Sequence, residues 1–117
     1  MLSLNAHHRY YVYCQAADMR KGFDGLSGLV RQHFEADLMS GDVFIFMNRR
    51  RDRIKLLMWD SSGFAIYYKR LERGTFELPL GTSDQRSLEL SWSDLVMLLE
   101  GIELRSVRRR KRYMKSA

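Results

Sequence analysis

Val43-Phe44-Ile45-Phe46-Met47 is apolar at every position. A strand with no polar side suggests cover on both faces, so this run reads as a central strand. Two alternating runs follow it. Ile54, Leu56 and Met58 alternate with Arg53, Lys55, Leu57 and Trp59, and Phe64, Ile66 and Tyr68 alternate with Ala65, Tyr67 and Lys69 up to Leu71. An Arg-rich tip after Asn48 and the turn Asp60-Ser61-Ser62-Gly63 join the three, and Glu72-Arg73-Gly74-Thr75 closes them. Short turns between extended runs predict an antiparallel meander.

The flanks complete an α+β pattern. Residues 9 to 16 are aromatic and β-branched and read as a first strand. Asp18 is placed to cap a helix on which Phe23, Leu26, Val30 and Phe34 recur at helical spacing. Gly22, Gly25 and Gly28 share one side of that helix, marking either close backbone packing or a helix that starts late, near Asp24. Phe76 to Leu80 reads as a short strand, with Pro79 favouring an edge. Gly81 to Arg86 is a polar loop, and Ser87 to Leu90 is a further edge strand. Ser91-x-x-Asp94 resembles a capping box before the stripe Trp92, Leu95, Val96, Leu98 and Leu99, which ends at Gly101. The expected fold is a small antiparallel sheet of four to five strands, with two helices mainly on one face and a basic C-terminal tail. Residues 1–104 form the expected domain and 105–117 the tail.

The chain has 117 residues, enough for one core, and 45% are hydrophobic, which excludes the disordered class. Val43 to Met47 and Leu95 to Leu99 are the longest apolar runs, far short of the roughly 20 residues that span a bilayer. No basic segment followed by an apolar stretch opens the chain, so no secretory signal is visible. The single Cys14 forms no internal disulfide, and a reducing cytoplasm is expected. Net charge is +6 and uneven. Of the 20 basic residues, seven lie after Glu103 with no acidic one, which leaves 13 against 14 acidic residues in the first 104. A basic arm on a nearly neutral body is the pattern of a polyanion-binding tail, with Arg108, Arg109, Arg110, Lys111 and Arg112 at its centre, against a solvated terminus as the plainer reading.

The tip Arg49-Arg50-Arg51-Asp52-Arg53 carries more charge than a turn requires. Guanidinium forks suit bidentate contact with phosphate or guanine edges. Arg49, Arg50, Arg51, Arg53, Lys55, Lys69 and Arg70 are therefore the candidate nucleic-acid contacts. Depending on register, Arg53, Lys55, Trp59, Tyr67 and Lys69 share one sheet face, where Trp59 and Tyr67 either stack on bases or pack under the first helix. Catalysis has no comparable signal. Asp18, Asp24, Asp42, Asp52 and Asp60 fall at turns and caps that explain them locally. His7 and His8 are adjacent, so they point apart in an extended chain, and no nucleophile meets a base. No metal ligands and no cofactor site are expected.

Four blocks carry a family resemblance: Asp18-Met19-Arg20-Lys21-Gly22-Phe23-Asp24-Gly25-Leu26; Phe46-x-Asn48 through Leu57-x-Trp59-Asp60; Tyr67-Tyr68-Lys69-Arg70-Leu71-Glu72-Arg73-Gly74-x-Phe76; and Leu98-Leu99-Glu100-Gly101-Ile102. In that order the chain resembles the TnpB-type accessory proteins of the insertion-sequence-66 family of bacterial transposable elements. It bears no likeness to the RNA-guided nucleases that share the name. Ser61-Ser62-Gly63 departs from a turn that is more often glycine-rich in that family. The resemblance implies a protein that assists DNA transposition beside a separate transposase, and it supplies no catalytic residues. The expected function is a non-catalytic accessory factor that binds DNA through the Arg-rich hairpin and tail, with the transposase and another accessory protein as partners. The alternative is an adaptor that assembles the transposase complex without touching DNA. Homo-oligomerisation through the Phe76 to Leu80 edge is open, although Pro79 opposes extensive pairing there.

Overall fold

A computed structural model describes residues 4–78 and 86–100, together with the backbone at 102–103 and 108–109. The elements are β1 (Tyr10–Ala16), α1 (Phe23–His33), β2 (Val43–Met47), β3 (Arg53–Trp59), β4 (Phe64–Arg70), β5 (Ser87–Leu90) and α2 (Trp92–Glu100). Two short strands follow, β6 (Ile102–Glu103) and β7 (Arg108–Arg109), paired antiparallel with each other. Five strands form one sheet in the order β4-β3-β2-β1-β5. The expected α+β class holds, and so does the β2-β3-β4 meander.

The sheet is mixed rather than antiparallel, because β1 and β2 run parallel. A parallel neighbour needs a crossover, and residues 17–42 with α1 supply it. That crossover also overturns the expectation of both helices on one face. Leu26 and Val30 of α1 and Phe34 just beyond it pack with Tyr13, Phe44, Phe46 and Leu57 on one side of the sheet. Leu95 and Leu98 of α2 pack with Tyr10, Val12, Ile45, Leu56 and Phe76 on the other. An all-apolar β2 demands this arrangement, since both of its faces must leave water, and every residue of β2 is buried.

Local details differ from expectation in three places. Asp18 does not cap α1. Its carboxylate accepts the backbone N–H of Arg20 at 2.9 Å and the guanidinium of Arg20 at 2.7 Å, and the helix begins at Phe23, which is 49% exposed. Gly22 and Gly28 do not mark close packing, since a Cβ at either meets nothing within 4 Å; at Gly25 a Cβ would fall 2.9 Å from Lys21 Cβ, a close approach to the turn just before the helix. The late start of the helix is the reading that survives. Third, residues 75–78 are not a strand. Phe76 is a fully buried plug in the α2-side core, and the rest of the expected strand, Pro79 and Leu80, lies outside the described residues, as do 81–85 of the expected loop. The cap on α2 is as expected, with the Asp94 N–H donating to Ser91 Oγ at 3.1 Å. Among the described residues no helix is long and apolar enough to cross a membrane.

Candidate nucleic-acid interface

The loop between β2 and β3 is shaped by one asparagine. The Asn48 carbonyl accepts the Arg51 N–H at 3.1 Å and closes a turn. Its side-chain Oδ1 accepts the N–H groups of Asp52 at 3.1 Å and Arg53 at 3.0 Å, while Nδ2 donates to the Asp52 carboxylate at 2.7 Å. Arg51 takes a left-handed backbone, with φ of 58°, a conformation that asparagine and glycine adopt more easily. The surroundings hold it there. The Arg51 carbonyl accepts the Phe76 N–H at 2.6 Å, and the Asp52 carbonyl accepts the Leu71 N–H at 2.7 Å. Phe76 is the buried plug, so the loop is latched to the core through backbone alone.

None of this holding uses a guanidinium. Arg49, Arg50 and Arg51 are exposed and Arg53 is half-buried. Among the described residues, none of the four is in an ion pair, whereas Arg9 pairs with Asp42, Arg20 with Asp18 and Arg70 with Glu72. The intervening Asp52 is occupied by Asn48. That hydrogen bond first, and then the charges of Arg53 and Arg50, hold its carboxyl below the usual value, so it is ionised at neutral pH. It screens the cluster in part and leaves it strongly positive.

Register decides the rest. Arg53 lies opposite Arg70, Lys55 opposite Tyr68, and Trp59 opposite Phe64, all on the α1 side; Tyr67 lies opposite Leu56 and Lys69 opposite Ile54, on the α2 side. Arg53, Lys55, Trp59, Tyr67 and Lys69 therefore do not share a face. Successive residues of a strand point to opposite faces, and the fixed pairing puts odd positions of β3 beside even positions of β4.

Lys55 is not a free cation. It is only 9% exposed, its Nζ donates to the carbonyls of Met19 at 2.8 Å and Lys21 at 2.9 Å, and it sits 4.8 Å from the centre of the Tyr68 ring. Lys69 donates to the Leu99 carbonyl at 2.7 Å, satisfying the C-terminal end of α2. Trp59 is packed edge-on to Phe64, with ring centres 5.0 Å apart, at the far end of β3, about 20 Å from Arg53 by strand rise. Arg70 is exposed and its Glu72 contact, at 3.1 Å, is exposed too. Arg108 and Arg109 are described only as the backbone of β7, and Arg110, Lys111 and Arg112 lie outside the described residues.

Two positions escaped the sequence reading. Tyr68, rather than Tyr67, is the aromatic on the arginine side, 49% exposed. Lys21 is exposed, and the bonds from Lys55 to its carbonyl and to that of Met19 bring the β1–α1 connection to this side. Arg53, Tyr68, Arg70 and Glu72 line an open notch of about 380 Å³. The signal for Tyr68 was available, since counting outward from Asp60-Ser61-Ser62-Gly63 fixes the pairing.

A small α+β protein with a latched, unpaired arginine loop is the class these features define. The chain belongs to the family described as IS66 Orf2-like protein, whose model matches residues 8–109. The match begins before the first of the four sequence blocks and takes in β1. That membership points to an accessory role in transposition. Two relatives from Sinorhizobium fredii are similar along nearly the whole chain, both called uncharacterized proteins. One, y4jC, is 34% identical over 102 residues, covering 87% of this chain and 86% of its own. The other, y4hO, is 30% identical over 105 residues, covering 90% of each. No solved structure matches.

Proposed function

We propose that the protein is a non-catalytic accessory factor of transposition that grips DNA phosphates through Arg49, Arg50, Arg51 and Arg53. The observation that carries this reading is the loop itself: four neighbouring guanidiniums on a backbone made rigid by Asn48 and Phe76, with no carboxylate bound to any of them among the described residues. Keeping like charges together opposes folding, so a site built this way favours an external polyanion. Two carboxylates near it serve local structure: Asp18 binds Arg20 and Asp52 binds Asn48. That use supports the absence of a catalytic role. Arg108, Arg109, Arg110, Lys111 and Arg112 would add sequence-independent attraction, and the element's transposase is the protein partner in this reading.

The test is the salt dependence of binding to a short duplex. Arg50→Glu with Arg51→Glu should lower the log–log slope by about 2, near 0.9 per lost phosphate contact, and leave the melting temperature within about 3 °C. If wild type ignores DNA at about 50 mM salt yet captures the transposase, the adaptor role replaces this one.

A further inference from the structure

The notch beside the loop carries a more specific ligand. We infer that Tyr68, flanked on one side by the pair Arg53 and Arg70, is a stacking platform for an unpaired base, so that the DNA taken by this surface is single-stranded. The inference rests on the DNA-binding reading and narrows it.

Tyr68 presents about half of its surface to solvent from the middle of an ordered strand. One large aromatic in water needs no explanation by itself, but its surroundings are built. The Lys55 ammonium, fixed by two main-chain carbonyls, sits 4.8 Å from the ring centre. A cation there holds the ring by attraction to its π-face, so the exposed part is presented in one orientation. The next pair on the same face, Arg53 and Arg70, lies about 7 Å further along the strands by backbone rise. The notch these residues share with Glu72, about 380 Å³, falls in the range of roughly 300–1,000 Å³ typical of small-ligand sites. An aromatic beside arginines is the combination that grips a base by its face and the flanking phosphates by charge.

Duplex DNA hides its base faces in the stack and offers only edges and backbone. A ring standing on a sheet cannot reach those faces, whereas a single strand supplies them at every nucleotide. Glu72 is the unfavourable charge among the residues that line the notch. Its exposed pair with Arg70 is of the weak kind, so an incoming phosphate can take its place on the guanidinium.

The experiment compares the full-length chain and its variants on a dye-labelled oligothymidine and on a duplex of equal length, by anisotropy at one salt concentration. Tyr68→Ala should weaken single-strand binding about 5- to 100-fold, the loss of one base–aromatic stack, and leave duplex binding within about twofold. Tyr68→Phe should bind like wild type, and Glu72→Gln should bind the single strand more tightly. Tyr68→Leu, which keeps the strand position filled, should behave like Tyr68→Ala and guards against a folding defect in the latter. Wild-type single-strand affinity in both Tyr68→Ala and Tyr68→Leu overturns the inference, as does an equal loss on both DNAs. Those outcomes leave the phosphate-binding loop standing; failure of wild type to bind either DNA overturns both readings.

Discussion

Lys55→Met separates a structural lysine from a DNA contact. The ammonium donates to two carbonyls at 2.8 and 2.9 Å while 9% exposed. Hydrogen bonds from a charged donor contribute about 1.5–3 kcal/mol each. Methionine fills a similar volume and removes the cost of burying a charge, which offsets part of the loss. The Met19 and Lys21 carbonyls nevertheless lose their donor in a half-closed site. The net expectation is a destabilisation of about 2–4 kcal/mol. A chain of this length loses about 4 °C of Tm per kcal/mol, so Tm should fall by about 8–16 °C. Thermal unfolding followed by the fluorescence of Trp59 and Trp92 measures this. Duplex binding, measured well below the transition, should keep the wild-type salt slope. A Tm change under about 3 °C with a slope lowered by about 1 would show that Lys55 faces phosphate and that the packing argument is mistaken.

Phe76→Ala empties a fully buried site and should cost about 3–5 kcal/mol in a denaturant titration; a loss under about 1 kcal/mol means that Phe76 does not anchor the loop. Asn48→Ala should raise the Asp52 pKa towards the ordinary carboxylate value, because the Asn48 hydrogen bond is the main cause of its depression. The folded-state pKa is lowered, so the stabilisation is present above the unfolded value and lost as pH falls through the folded one. The Tm gap between wild type and Asn48→Ala should therefore be wider at pH 7 than at about pH 2.5, and a gap independent of pH refutes the coupling. Asp18 should titrate at about 2 in a carboxyl NMR titration, held down by hydrogen bonds from Arg20, and Arg20→Ala should release it; an unchanged value in that variant excludes the pair.

The meander was legible because strand parity is local: alternation in β3 and β4 and the turn residues at 60–63 are written in consecutive residues. The parallel β1–β2 pair was not, since nothing in residues 9–16 says which neighbour they join or in which direction. The all-apolar β2 did carry the missing information. A strand buried on both sides with only two helices available requires one helix on each face, a constraint that the one-face expectation ignored. Phe76 read as a strand residue because it sits in an alternating run, yet its N–H goes to Arg51, a partner that only the tertiary fold supplies. Within the site, the arginine tip was visible as charge, but the fate of Lys55 and Lys69 depended on carbonyls 30 to 36 positions away in sequence.

The predicted contacts divide by residue type, and chemistry explains the division. Both hairpin lysines of the set, Lys55 and Lys69, are spent inside the molecule, each on carbonyl oxygens at the end of a turn or helix. A compact ammonium with three donors can be satisfied by a few converging carbonyls, and its long stem covers apolar surface on the way. The planar fork of arginine needs a matching pair of acceptors, which a carboxylate or phosphate offers and scattered carbonyls do not. Arg9, Arg20 and Arg70 find such a carboxylate. Arg49, Arg50, Arg51 and Arg53 do not among the described residues, because the one carboxylate within the loop is held by Asn48. The asparagine keeps the cluster open, which is the property a phosphate-binding loop needs and a merely stable one does not.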